Sequence, residues 1–168
     1  MAEVILVDMD DHPMGTAPKM KAHEEGLLHR AFSVFLFRED QLLMQKRAEG
    51  KYHSALLWSN TCCSHPGPGE EVREAAMRRL NEEMGIRTDD LKEAGSFVYR
   101  VPFSDGLIEF EYDHVLVGEY DGPFAADPKE VTDAAFLKLA DVKKDIRLNP
   151  GRYTAWFITA LSIAEKGR

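Results

Sequence analysis

The chain has 168 residues, 44% of them hydrophobic and 10% aromatic, and carries a formal net charge of −8. That length and composition predict one domain, residues 1–168, with a proper core, and they exclude a disordered chain. The acidic balance excludes general nucleic-acid affinity, which needs a basic surface to neutralise phosphates.

No apolar run reaches the roughly 18 residues of a membrane span. The amino terminus, MAEVILVDMDD, is acidic and lacks the basic start of a signal peptide. Adjacent Cys62 and Cys63 do not suggest a secreted disulfide framework. A cytoplasmic monomer without nucleic-acid or membrane partners is expected.

Residues 3–9, EVILVDM, read as a first strand ended by Asp10, Asp11 and Pro13. A loop with Gly15 and Pro18 then leads to Lys19, Lys21 and His23. The segment His29–Phe37, HRAFSVFLF, is a strand. Alternation sends His29, Ala31 and Ser33 to one face and Phe32, Val34 and Leu36 to the other. The turn Arg38-Glu39-Asp40 joins it to a hairpin partner, LLMQKR. A loop carrying Lys51, Tyr52 and His53 follows.

The stretch Trp58–Ile86, WSNTCCSHPGPGEEVREAAMRRLNEEMGI, is the most informative in the chain. It opens with a turn holding Cys62, Cys63, Ser64 and His65, followed by a Pro-Gly-Pro-Gly linker that cannot be helical. A helix then begins with Glu70 and Glu71 in its first turn, where the dipole favours negative charge, and stops at Gly85. On a helical wheel Val72, Ala75, Ala76 and Leu80 form the core-facing stripe, and Glu70, Glu74, Arg78 and Asn81 face solvent. Arg79 and Glu83 fall inside the apolar stripe, although charged groups are rarely buried unpaired. Either they form an ordinary i,i+4 ion pair, or both point at a metal and an anionic ligand beneath the helix.

Beyond Gly85, residues 95–101 read as a strand and Ser104-Asp105-Gly106 as a tight turn. In the strand 107–120, LIEFEYDHVLVGEY, alternation sends Glu109, Glu111 and Asp113 to one face. Such carboxylates face either solvent or a cation, since they repel one another otherwise. Residues 133–137 form a last strand. A short helix follows, then a longer one from about Asn149, with Asn149 as cap and Pro150 at its first position. Trp156, Ala160 and Ile163 share one stripe of that helix, which by itself reads as core.

His23, His29, His65 and the Glu109/Glu111 pair offer a mixed nitrogen and oxygen ligand set suited to magnesium or a first-row divalent ion. His53 and His114 lack such company and read as structural. Lys19, Arg47, Lys51 and Arg79 are the cationic candidates for holding a phosphate.

The helix resembles the Nudix box: Glu70, Arg78, Leu80, Glu82, Glu83, Gly85 and Ile86 fall in register. Ser64 stands where the box has its first glycine, and Arg79 where it has its central glutamate. The resemblance implies an α+β fold, a Nudix-like mixed β-sheet sandwich flanked by helices. A guanidinium cannot bind a cation, so Arg79 implies the loss of ordinary diphosphate hydrolysis.

Taken together, H-x5-HRAFSVFLF, WSNTCCSHP, the altered box and EFEYD resemble the type I isopentenyl diphosphate isomerases, from Lys19 to the terminal helix. That resemblance implies interconversion of isopentenyl and dimethylallyl diphosphates, with Cys63 as catalytic thiol, Glu111 as opposing acid/base and Tyr99 as its hydrogen-bonding helper. It implies that Trp156 faces a cationic intermediate, and that Lys19, Arg47, Lys51 and Arg79 hold the diphosphate. His23, His29, His65, Glu109 and Glu111 would bind a first divalent ion (Mn2+, Zn2+ or Mg2+), and Glu83 a Mg2+ shared with the substrate. Cys62 would only pack. Cys63, with an ordinary thiol pKa of about 8.5, is expected to exchange protons near neutrality. A Nudix hydrolase of nucleoside diphosphates and a non-enzymatic metal-binding module are the alternatives.

Overall fold

The computed structural model describes residues 2–168, and its architecture is a strongly branched mixed sheet with helices on both sides. The central strand is β3, His29–Arg38. Along one edge it pairs in parallel with β8, Ile108–Glu119, in the register His29↔Glu111 to Phe37↔Glu119. Its other edge is shared by three antiparallel partners in turn. They are β1 (Glu3–Val7) at Leu6↔His29, β6 (Cys62–Ser64) at Ser33↔Cys63, and β4 (Gln41–Arg47) at Phe37↔Leu42. The sheet is completed by β2 (Pro13–Pro18) on β1, β5 (Trp58–Ser59) and β9 (Val131–Lys138) on β4, and β7 (Lys92–Pro102) on β8.

Both faces of β3 are buried, because each is covered by helices. Phe32, Val34 and Leu36 pack with Ala75, Ala76, Leu80 and Met84 of α2, Val72–Met84. Phe35 and Phe37 pack instead with Val142 of α3 (Leu139–Leu148) and with Phe157, Ala160, Leu161 and Ala164 of α4 (Phe157–Gly167). The carboxylate-bearing stretch of β8 is not a solvated face: Glu109, Glu111 and Asp113 are all buried.

The helix α2 begins two residues later than its acidic start suggests, with Glu71 at the N-cap and Glu74 in the first turn. Glu70 instead accepts from the Gly67 N–H at 2.9 Å and pairs with Arg78 at 2.8 Å, tying the linker to the helix. Gly85 ends α2 at φ 64°, a left-handed conformation that favours glycine.

Several elements differ from the sequence reading. The loop expected around Gly15 is the edge strand β2, where Pro13 and Pro18 are tolerated because an edge needs fewer N–H donors. The first strand accordingly ends at Val7, and a short helix α1, Lys19–Glu25, follows β2 and buries Ala22 and His23. Near the carboxyl terminus, Asn149 and Pro150 open only a 3-10 turn, Pro150–Arg152. The chain is then drawn out straight, since Thr154 N–H donates to Trp58 O at 3.0 Å and Tyr153 bridges Trp58. The final helix α4 therefore starts at Phe157, with Trp156 at its N-cap. Among the described residues no helix is long and apolar enough to cross a membrane.

Candidate active site

Strand register assembles the centre of the site. Tyr99 of β7 lies opposite Glu111 of β8, and Glu111 opposite His29 of β3, so the three form one row across neighbouring strands. Alternation along β8 puts Glu109 and Asp113 on that same face. His23 arrives from α1, and His65 from just beyond β6.

The histidines are oriented by backbone carbonyls. Nδ1 of His23 donates to Lys19 O at 2.8 Å, and Nδ1 of His29 donates to Leu27 O at 2.8 Å. In the neutral ring this leaves Nε2 with its lone pair, the tautomer suited to a metal. His29 Nε2 and His65 Nε2 converge on Glu111 Oε2, at 3.1 and 2.7 Å. A lone pair facing a carboxylate oxygen repels it unless a proton or a cation lies between them. His23, His29, His65 and Glu111 present ligand atoms within 4.8 Å of one another, and so do His23, His53 and Glu109. Glu109 Oε2 is buried without a hydrogen-bond partner. This donor set fits a divalent cation.

The two glutamates are pushed apart electrostatically. Burial, and then the adjacent Glu111 carboxylate, raises Glu109 well above the usual carboxylate range. Burial acts on Glu111 in the same sense, but the imidazoles of His65 and His29 outweigh it and hold Glu111 well below that range. The Tyr99 hydroxyl bridges the pair, 2.6 Å from Glu111 Oε1 and 2.7 Å from Glu109 Oε1. Burial lowers His65 to about 4, with the Glu111 carboxylate acting in the opposite sense.

Adjacent residues of a strand point to opposite faces, and this separates the two cysteines. Both are free thiols. Cys62 enters the α2 core, where it is not merely packing: its thiol donates to Glu83 Oε2 at 2.9 Å. Cys63 turns into the pocket, donates to Asn60 Oδ1 at 3.1 Å and accepts from Trp156 Nε1 at 3.2 Å. Burial, reinforced by Asp113, pushes the Cys63 thiol up to about 12. It therefore rests protonated at neutral pH, in the form that has a proton to give. Asp113 itself is raised well above its usual range by burial and by Glu111, and accepts from Ser33 Oγ at 2.9 Å.

Lys19, Arg47, Lys51 and Arg79 line the same pocket as Cys63, Glu83, Glu111 and Trp156. The Lys19 ammonium lies 4.4 Å from the Tyr52 ring centre, and burial, aided by the nearby Lys51 and Arg79, lowers its pKa. Arg47 sits 5.5 Å from the Trp156 ring and donates to His53 O at 3.2 Å, while its buried Nε has no partner. Lys51 pairs with Glu130. Arg79 does what both sequence readings allow. It pairs with Glu83 at 2.9 Å and Glu82 at 2.6 Å, and it also lines the pocket.

Two residues escaped the sequence reading. Asn60 is fully buried, and its amide donates to Val34 O at 3.0 Å and Cys62 O at 3.1 Å, which aims Oδ1 at Cys63 and Trp156. Its place in WSNTCC, three residues before the thiol, is the only linear signal. His53 reads as structural in the sequence, yet it lies in the pocket 3.0 Å from Glu109. His114 is bound outside the pocket, by Asp11 at 2.8 Å and by Glu93.

The branched sheet, the acidic helix over it and the ligand cluster beneath define a Nudix-domain protein, and the NUDIX domain family matches residues 27–157. A crystal structure from Deinococcus radiodurans shares the fold, with a TM-score of 0.76 at 18% identity over 99% of each chain. Closer in sequence is Isopentenyl-diphosphate Delta-isomerase 2 of Aromatoleum aromaticum, 51% identical over 160 residues, 95% of this chain and 84% of that one. The Isopentenyl-diphosphate Delta-isomerase of Serratia proteamaculans is 43% identical over 159 residues, 94% of this chain and 88% of its own. The chain belongs to the isopentenyl-diphosphate Delta-isomerase family.

Proposed function

We propose that this chain interconverts isopentenyl and dimethylallyl diphosphates in isoprenoid biosynthesis. The observation that carries the reading is one pocket with two different walls. Lys19, Arg47, Lys51 and Arg79 form a cationic wall in a chain of net charge −8, and Cys63, Glu111 and Trp156 form a proton-handling, aromatic wall, with Tyr99 bonded to Glu111 behind it. A diphosphate suits the first, and an alkene the second.

Adding a proton to the terminal CH2 of the alkene leaves a tertiary carbocation, and removing one from the carbon nearer the diphosphate gives the allylic isomer. Cys63 and Glu111 are the pair that gives and takes those protons, exchanging roles with direction. Tyr99 supports the reading because its hydroxyl, 2.6 Å from Glu111, can relay the proton. The Trp156 ring, held by its Nε1 bond to Cys63, offers a face to the developing cation. Arg79 stands where a hydrolase needs a carboxylate, which supports isomerisation over water attack.

His23, His29, His65, Glu109 and Glu111 would hold a first divalent ion, Mn2+, Zn2+ or Mg2+, and Glu83 would share a Mg2+ with the diphosphate. Such ions neutralise diphosphate charge and moderate that of Glu111. The chain would act as a monomer, and free Cys62 and Cys63 suit the reducing cytoplasm.

Incubation with isopentenyl diphosphate and Mg2+ should give an acid-labile allylic product. Phosphate release from nucleoside diphosphates, with no allylic product, would overturn the assignment in favour of a hydrolase.

A further inference from the structure

His53 lies in the loop between β4 and β5, and its side chain is only 3% exposed. Its Nε2 is 3.0 Å from Glu109 Oε2, close enough for a hydrogen bond, yet Glu109 Oε2 has no hydrogen-bond partner. The two atoms approach without the alignment of an N–H···O bond. Electron-pair donors meeting in this way are held together when one cation accepts from both. Two adjacent ligands of an octahedral ion with bonds of about 2.1 Å lie about 3.0 Å apart, the bond length times √2.

The rest of the ring is placed as a ligand would be. Nδ1 is 3.0 Å from Ser54 Oγ, and that hydroxyl can accept the Nδ1 proton and free the Nε2 lone pair. The ring stacks on Phe103, with centres 4.8 Å apart and planes at 13°, so its direction is fixed. His23 links this group to the other, since it belongs both to the cluster with His53 and Glu109 and to the cluster with His29, His65 and Glu111.

We propose that His53 is a further ligand of the metal centre, binding the cation together with Glu109 and His23. The inference rests on the histidine–carboxylate cluster being a metal centre, and it extends that centre to a loop that also carries Lys51. One loop would then bind both the ion and the diphosphate, coupling substrate position to metal occupancy.

The test is Co2+ uptake by the whole chain, followed by its visible spectrum and by competition with a chelator. His53→Ala should weaken Co2+ binding by about tenfold or more and change the visible bands, while His114→Ala leaves both unchanged. His53→Cys should regain uptake and add a near-ultraviolet thiolate-to-cobalt band absent from the unsubstituted chain, which a purely structural residue would not do. Unchanged affinity and visible spectrum in folded His53→Ala would overturn the proposal. So would a His53→Cys chain that binds Co2+ without the new band, which decides the matter if the alanine variant does not fold. An unsubstituted chain that takes up no divalent ion would overturn the metal-centre reading itself, and this inference with it.

Discussion

Replacing Arg79 with alanine separates the proposed substrate binding from scaffolding, because this side chain both lines the pocket and pairs with a buried carboxylate. It holds Glu83 at 2.9 Å, Glu82 at 2.6 Å and Glu130 at 3.5 Å, with its own side chain 19% exposed. The Glu82 partner is 43% exposed, so that pair contributes at most about 1 kcal/mol. The Glu83 side chain is 4% exposed and would keep only the Cys62 thiol, leaving one oxygen of a buried carboxylate short of a donor at a cost of about 1–3 kcal/mol. A total of about 1–4 kcal/mol corresponds to a Tm lowered by about 2–16 °C in a chain of this size. Loss of a charge-assisted bond to a diphosphate oxygen, about 1.5–3 kcal/mol, should raise KM for isopentenyl diphosphate about 10- to 150-fold. Arg79→Lys should recover part of the KM effect but not the two-pronged carboxylate contact. Steady-state kinetics on thermally checked protein decide the matter. A lowered Tm with unchanged KM would refute the substrate role and leave Arg79 as the partner of Glu83 alone.

Cys63→Ala should abolish isomerisation in folded protein. Cys62→Ala should retain the thiol chemistry but lose some stability, since it removes a buried donor to Glu83; equal loss of activity in both folded variants would refute the assignment to Cys63. With the Cys63 thiol pushed up to about 12, about one molecule in ten thousand carries the thiolate at pH 8, so iodoacetamide should label Cys63 far more slowly than an ordinary cysteine. The fold favours the protonated thiol, so stability is lost as pH rises above about 9, where the unfolded chain gives up that proton first. Thermal melts across pH 8–11 should show a decline that is shallower in Cys63→Ala. Exhaustive chelation should abolish activity and lower Tm, because the buried carboxylates Glu109 and Glu111 would face each other without a cation; full activity in metal-free buffer would exclude the metal centre.

The sequence by itself determined what is periodic and local. Proline and glycine bracket α2, its 3.6-residue repeat turns Ala76, Leu80 and Glu83 inward, and the two-residue repeat of β8 places Glu109 and Glu111 on one face. It also supplied the residue types and spacing that point to a diphosphate and a divalent ion. Whether that carboxylate face met solvent or a buried site was beyond it, because the answer depends on α1, the His53 loop and the segment carrying His65 being brought onto β8 from distant parts of the chain. The same holds for His53 and Asn60, whose partners Glu109 and Trp156 are 56 and 96 residues away along the chain. Helix α4 begins at Phe157 rather than Asn149 because a strand near Trp58 captures Thr154, and no local propensity encodes that contact. The proton affinity of Cys63 is likewise tertiary: alternation alone turns the thiol away from Cys62, but burial beside Asp113 is what keeps its proton on.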